Sequence, residues 1–269
     1  MVKVERSGGL EKRTNISLSD RTHLCVSKRN YEDKAPILVG ITGAVGSGKT
    51  TLTRNLVECI SESGYVVHVV NEVVSEVVKS FAKKMRDKGY NVNNPVETII
   101  KARECDDIAI LEYYIIDRMY RRVMDALYNI GRYEDYTPPD VVITDRTHYD
   151  WLYFFIKYVF NRNLSDRLID TMSKSLYIYS KFPIYNLVVI CDFRDITDDY
   201  LRYDFPSKVR VPEDTKYIER KAQHVFISEI VKSYGVKYIY AKGDLPTRVR
   251  YTTQTIIDIL DRFKKPEIG

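Results

Sequence analysis

The chain has 269 residues, a net charge of +5 and 44% apolar residues, enough apolar material for the core of one large α/β domain, alone or with an appendage. Acidic and basic residues are mixed along its length, which argues against a dedicated nucleic-acid-binding arm and suits a site for phosphorylated ligands. Cys25, Cys59, Cys105 and Cys191 and the four histidines lack metal-ligand or disulfide-framework spacing, no signal-peptide pattern opens the chain, and the run from Trp151 to Phe160 is too short to span a bilayer, so the reading is a soluble, cytoplasmic protein without a membrane partner.

In chain order, residues 1–34 are polar and without periodicity, an N-terminal arm that adds a strand or covers a partner; residues 35–269 form the remaining domain. Ile37–Thr42 reads as a buried strand, and Thr51 to Val57 has helical spacing. Tyr65–Asn71 is the second strand. Pro95 marks the start of a long helix whose apolar residues, from Ile99 through Ile108, Leu111, Ile115, Met119 and Val123 to Ile130, recur at steps of mostly three or four. Pro138-Pro139 leads into the strand Val141–Thr144, and Trp151, Leu152, Phe155, Ile156 and Val159 form another helical stripe, followed by one from Leu164 to Leu176. Leu187–Cys191 and Lys237–Ala241 are the last strands, separated by a charged, proline-containing segment from about Arg194 to Arg220. Strands alternating with helices specify a parallel sheet covered on both faces. Glutamine occurs only at Gln223 and Gln254.

Between the first strand and its helix lies Gly43-Ala44-Val45-Gly46-Ser47-Gly48-Lys49-Thr50, which fits G-x-x-x-x-G-K-[ST], the Walker phosphate loop. Glycines let successive N–H groups turn around phosphate oxygens, and the new helix directs its positive end at the same anion. The loop and Thr51 just after it are the expected nucleotide contacts. Lys49 would reach the terminal phosphates, and the Thr50 hydroxyl would complete the coordination of Mg²⁺. The strand Val141–Thr144 runs into Asp145-Arg146-Thr147, so Asp145 stands where a carboxylate organises Mg²⁺. Remodelling ATPases usually follow that acid with a water-activating glutamate. Here Arg146 follows, which suits stabilising a phosphoryl group in transfer to a bound acceptor; an ordinary ion pair at a strand end is the plainer reading. No N-K-x-D base-reading motif of a GTPase is present.

The phosphate loop, the Asp145-Arg146-Thr147 triplet with Asp150 after it, and the strand order resemble the P-loop nucleoside and nucleotide kinases, a group including deoxynucleoside, thymidylate and nicotinamide riboside kinases, over roughly residues 36 to 262. The resemblance implies a P-loop NTPase three-layer sandwich with a five-stranded parallel sheet in the order 2-3-1-4-5, helices on both faces and a mobile lid. It implies ATP and Mg²⁺ as cofactors. It also implies that Glu72, after the second strand, accepts the proton of the attacking hydroxyl, although a solvated acid at a helix start fits equally well. Asp150 corresponds to an acid that contacts the acceptor, or else to an N-cap for the helix at Trp151. The lid would be residues 194–220, whose Arg202, Lys208, Arg210 and Arg220 could close over the phosphates.

Two departures stand out. The family commonly reads a base with a glutamine on the long helix, where this chain carries Tyr113, Tyr114, Arg118 and Tyr120, and the segment after the fourth strand lacks a dense Arg-x-Arg pattern. The first points to an acceptor other than an ordinary nucleoside. The expectation is a kinase moving the γ-phosphoryl group of ATP to a small acceptor: a nucleoside, a nucleotide or a related metabolite. An ATP-binding switch without kinase activity is the alternative, and a kinase for polynucleotide ends lacks the basic cluster it would need. Self-association into a homo-oligomer stays open.

Overall fold

The computed structural model describes residues 35–105, 107–128, 138–159, 169–170, 173–174, 177, 185–194 and 216–264. The expected arm, Arg202, Lys208 and Arg210, and most of the stripe from Leu164 to Leu176 lie outside the described residues.

Five strands form one parallel sheet in the order β2-β3-β1-β4-β5: β1 Ile37–Gly43, β2 Val67–Val70, β3 Val141–Asp145, β4 Leu187–Cys191 and β5 Tyr238–Ala241. This is the expected order, with ends that move by up to two residues. The three central strands are buried at every position, whereas β2 and β5 at the edges are mostly half-buried. Helices cover both faces of the centre, so its strands read as continuous Val- and Ile-rich runs rather than alternating ones. Successive side chains still point to opposite faces. Leu38, Val142, Val188 and Ile190 join one core; Ile37, Val39, Ile41, Val141, Ile143, Leu187 and Val189 join the other.

The second core is roofed by α1 (Lys49–Glu62) and α7 (Leu245–Lys264), through Leu52, Leu56 and Ile60 and through Ile256, Ile259 and Leu260. The first is roofed by α2 (Val74–Asp87), α3 (Pro95–Glu104), α4 (Ile108–Tyr128), α5 (His148–Val159) and α6 (Tyr217–Ser233). That gives three layers. Among the described residues no helix is long and apolar enough to cross a membrane.

Two helices differ from the sequence expectation. The single long helix expected from Pro95 onward is two, because the apolar stripe lapses after Ala102: Cys105 caps α3, and Asp107, held by Lys88 at 2.9 Å, supplies the carbonyl for the first turn of α4. Pro95 does take the first position of α3, behind an Asn94 side chain that accepts from the Glu97 N–H at 2.9 Å. The helix expected at Trp151 begins at His148. Its cap is Thr147, whose hydroxyl accepts from the Tyr149 N–H (3.2 Å), while the Asp150 carboxylate reaches back to the Thr147 N–H (2.9 Å). This is a capping box, so Asp150 is its third-position acid and not the N-cap.

Candidate functional site

The phosphate loop leaves the sheet from the C-terminal end of β1, between β3 and β4. Gly43 has φ +143°, and a Cβ there would stand 2.7 Å from the Cys191 carbonyl oxygen, so the chain can turn off the strand only with glycine. Gly46 and Gly48 also have positive φ, and Ser47 N–H closes the turn on the Ala44 carbonyl at 3.1 Å. Helix α1 starts at Lys49 without a side-chain cap and without an acid in its first turn. Its first N–H groups and its positive dipole end are therefore not neutralised by a protein carboxylate, the arrangement that suits a phosphate group.

Lys49 is not the exposed loop lysine that its position in the motif suggests. It is 5% exposed. Its ammonium donates to the carbonyls of Gly43 (2.6 Å) and Ala44 (2.8 Å) and lies 3.5 Å from Asp150. Burial lowers its pKa to about 8, and the attraction of Asp150 opposes the shift. The lysine is a buried charge held against the carbonyls of the loop itself.

Asp145 ends β3 beside Ile41, is 3% exposed, and its Oδ1 has no hydrogen-bond partner among the described residues. A buried carboxylate oxygen is costly unless something pairs with it. Among the described residues no group of three or more His, Cys, Asp or Glu side chains could hold a metal. Asp145 and the half-buried Thr50 could each offer one oxygen to a metal ion such as Mg²⁺, which is usually held by one or two carboxylates together with phosphate oxygens and waters.

Arg146 is the one non-glycine residue with positive φ (93°) among the described residues, a conformation that costs free energy. Its N–H bonds to the Ile41 carbonyl at 3.0 Å, its Nε lies 3.4 Å from Glu72 Oε2, and its guanidinium sits 4.9 Å over the Trp151 ring. Glu72 lies between β2 and α2. The structure thus brings Glu72 and Arg146 together at the same sheet edge as the loop, with Glu72 about a third exposed at 31%.

Asp150 behaves differently. It is wholly buried, its Oδ2 accepts from Thr42 Oγ1 (2.7 Å), Thr147 N–H (2.9 Å) and Thr147 Oγ1 (3.1 Å), and its Oδ1 faces Lys49. The carboxylate is tied into the scaffold that joins β1, β3 and α5, with Oδ1 left without a hydrogen-bond partner among the described residues. The segment expected as a lid ends before residue 220: α6 begins at Tyr217, and Arg220 on its first turn is 2% exposed, donates to the Phe193 carbonyl at 2.9 Å and stacks 5.0 Å from the Phe193 ring. It is a buried helix residue and not a loop arginine. Arg118, on the helix that lacks a base-reading glutamine, forms an ion pair with Glu76 at 2.6 Å.

Two residues not singled out in the sequence touch the loop. Gln223 of α6, 1% exposed, accepts the Val45 N–H at 2.8 Å. Arg248 of α7, 4% exposed, donates to the carbonyls of Ser47 (3.0 Å), Asp192 (3.0 Å) and Gly243 (2.8 Å). Arg248 had a signal available: it is in helical register with Thr252, Ile256 and Leu260, so a charge falls on the apolar stripe. Gln223 had only the rarity of glutamine in this chain.

No family model matches the chain, and no curated protein matches its sequence. Solved structures of deoxyadenosine kinase from M. mycoides are similar to it. The form with bound dATP aligns with TM-score 0.50 at 14% identity, over 82% of this chain and 100% of that one. The forms with dCMP and a flexible dCDP (TM-score 0.49, 14% identity) and with dCTP (TM-score 0.48, 13% identity) align over the same shares. With the sheet order and the phosphate loop, the dATP-bound form establishes that this chain has the fold of the P-loop nucleoside kinases.

Proposed function

We propose that the protein is an ATP- and Mg²⁺-dependent phosphotransferase that moves the γ-phosphoryl group to a hydroxyl or phosphate oxygen of a small acceptor: a nucleoside, a nucleotide or a related metabolite. The observation that carries this reading is the Glu72–Arg146 pair on the sheet edge that bears the phosphate loop, 3.4 Å apart. A simple nucleotide-binding module needs no half-buried carboxylate and guanidinium paired there.

In this reading Lys49 leaves the Gly43 and Ala44 carbonyls for the terminal phosphates, and the amides at the start of α1 hold the remaining oxygens. Thr50 and Asp145 hold Mg²⁺, which when bound neutralises charge on the transferring phosphoryl group. Arg146, held over Trp151, stabilises charge on the same group. Glu72 takes the proton of the acceptor hydroxyl as the new P–O bond forms and the bond to ADP breaks. Most of the rate comes from holding the two reactants in line. The deoxyadenosine kinase structure whose fold the chain shares holds dATP, which supports a nucleotide in this fold.

The test is to incubate the protein with Mg-ATP and a panel of nucleosides, nucleoside monophosphates and related metabolites, reading ADP and new phosphorylated species by mass spectrometry. One acceptor converted stoichiometrically with ADP is the expected result. ADP formed with no phosphorylated product on any acceptor would refute it and support a nucleotide switch.

A further inference from the structure

We propose that Gln223 and Arg248 are positioning residues that set two peptide planes of the phosphate loop and so pre-shape it for a triphosphate. This rests on the reading of the loop as a triphosphate site. It does not depend on the acceptor or on transfer.

Each peptide unit is planar and rigid. In a trans peptide the C=O and the following N–H point in opposite directions, so holding one aims the other. The Ala44 carbonyl and the Val45 N–H belong to one unit. Gln223 Oε1 holds that N–H at 2.8 Å, which aims the Ala44 carbonyl back into the loop, where it accepts from the Ser47 N–H (3.1 Å) and from Lys49 Nζ (2.8 Å). Gln223 therefore fixes the turn and the resting place of the lysine together.

Arg248 does the same three peptide units later. Its Nη1 holds the Ser47 carbonyl at 3.0 Å, so the N–H of the same unit, on Gly48, is turned to the opposite side. The other nitrogens of the guanidinium anchor that plane to the end of β4, through the Asp192 carbonyl, and to the turn after β5, through the Gly243 carbonyl. A planar fork with several donors can reach three carbonyls from three segments at once; an ammonium on a flexible stem cannot. α6 and α7 thus grip the loop at the Ala44–Val45 and Ser47–Gly48 peptide units, on either side of Gly46.

Packing alone does not explain either side chain. Both sit almost wholly buried where an apolar side chain of similar size would fill the space. Gln223 also keeps an Nε2 with no partner among the described residues, a cost that an apolar residue would avoid. What a methionine could not do is accept the Val45 N–H.

Three proteins test this: Gln223→Met, Arg248→Lys and, as a control, Ile259→Val, which thins the core beneath α7 without touching the loop. Mg-ATP affinity is measured by calorimetry well below each melting temperature, with the melting temperatures recorded alongside. Gln223→Met and Arg248→Lys should each bind Mg-ATP about tenfold more weakly, since the loss of one or two oriented hydrogen bonds must be made good on binding. Ile259→Val should melt lower and bind as the wild type does. Wild-type affinity in a folded Gln223→Met or Arg248→Lys protein overturns the role of that residue and makes it structural. A further measurement needs no variant: the Val45 amide of the wild type should be protected in hydrogen exchange, and exchange at the rate of an open loop overturns the Gln223 contact. Binding is the readout, so the result stands even for a wild type that phosphorylates nothing.

Discussion

Lys49 makes a prediction that runs against the usual consequence of replacing a functional residue. Its ammonium is buried beside the loop carbonyls, and burial lowers its pKa from 10.5 to about 8. Keeping it charged at pH 7 therefore costs the folded state about 3 kcal/mol. Lys49→Met keeps the length of the side chain and removes that cost. It also removes the donor to the Gly43 and Ala44 carbonyls, a loss of about 1–2 kcal/mol. Asp150 keeps its Thr42 and Thr147 donors on Oδ2, and the attraction to Lys49 that its Oδ1 loses is already contained in the net shift of the lysine. The variant should be more stable by about 1–2 kcal/mol at pH 7, a rise of about 2–6 °C in melting temperature for a domain of this size. In the same protein Mg-ATP should bind about ten- to a hundredfold more weakly, because a charge-assisted contact to phosphate is gone. The pH dependence follows from the sign of the shift. Between about pH 8 and 10.5 the folded wild type holds fewer protons on this lysine than the unfolded chain does, so its stability gains with rising pH across that window. The advantage of Lys49→Met should shrink over that interval. Differential scanning calorimetry of both proteins from pH 7 to 10.5, with nucleotide titrations at pH 7, reads all three quantities. A variant that melts below the wild type at pH 7, or an advantage that stays flat up to pH 10.5, would refute the account of Lys49 as a buried, strained charge.

Asp145→Asn should cut turnover with Mg-ATP by about two orders of magnitude while ATP affinity changes little, because the carboxylate positions the metal more than it binds nucleotide; steady-state kinetics with matched calorimetry check this, and wild-type turnover would make Asp145 structural. Glu72→Gln should lower phosphoryl transfer by about 10²–10⁴ while slow hydrolysis of ATP persists, and undiminished transfer would end its role as base. Gly40→Ala places a Cβ 2.6 Å from Thr147 Cγ2 and 2.7 Å from the Tyr185 ring, so it should cost about 1–3 kcal/mol in urea unfolding and loosen the Thr147 cap beneath the site; no loss of stability would show that those side chains can yield.

What the sequence determined by itself is local. Strands of Val and Ile between turn residues mark a doubly covered parallel sheet, because burial on both faces removes alternation and leaves a continuous apolar run. The phosphate loop was legible because its glycines, its lysine and the start of α1 act within a few residues of one another, and Asp145 because it ends a strand. The tertiary structure decided everything that depends on distant partners. The break between α3 and α4 is fixed where Lys88 reaches Asp107, across a gap in the apolar stripe that a count of three- and four-residue steps bridges too easily. The ties of Asp150 to the scaffold come from Thr42, 108 positions away, together with Thr147 and Lys49, none of which its place in the sequence announces. Arg220 looked like a lid residue because charge and proline mark loops, and only the packing of α6 against Phe193 places it inside. Gln223 and Arg248 were silent for the same reason: they meet the loop across 178 and 201 residues of chain, and periodicity records which face of a helix is buried but not what waits there.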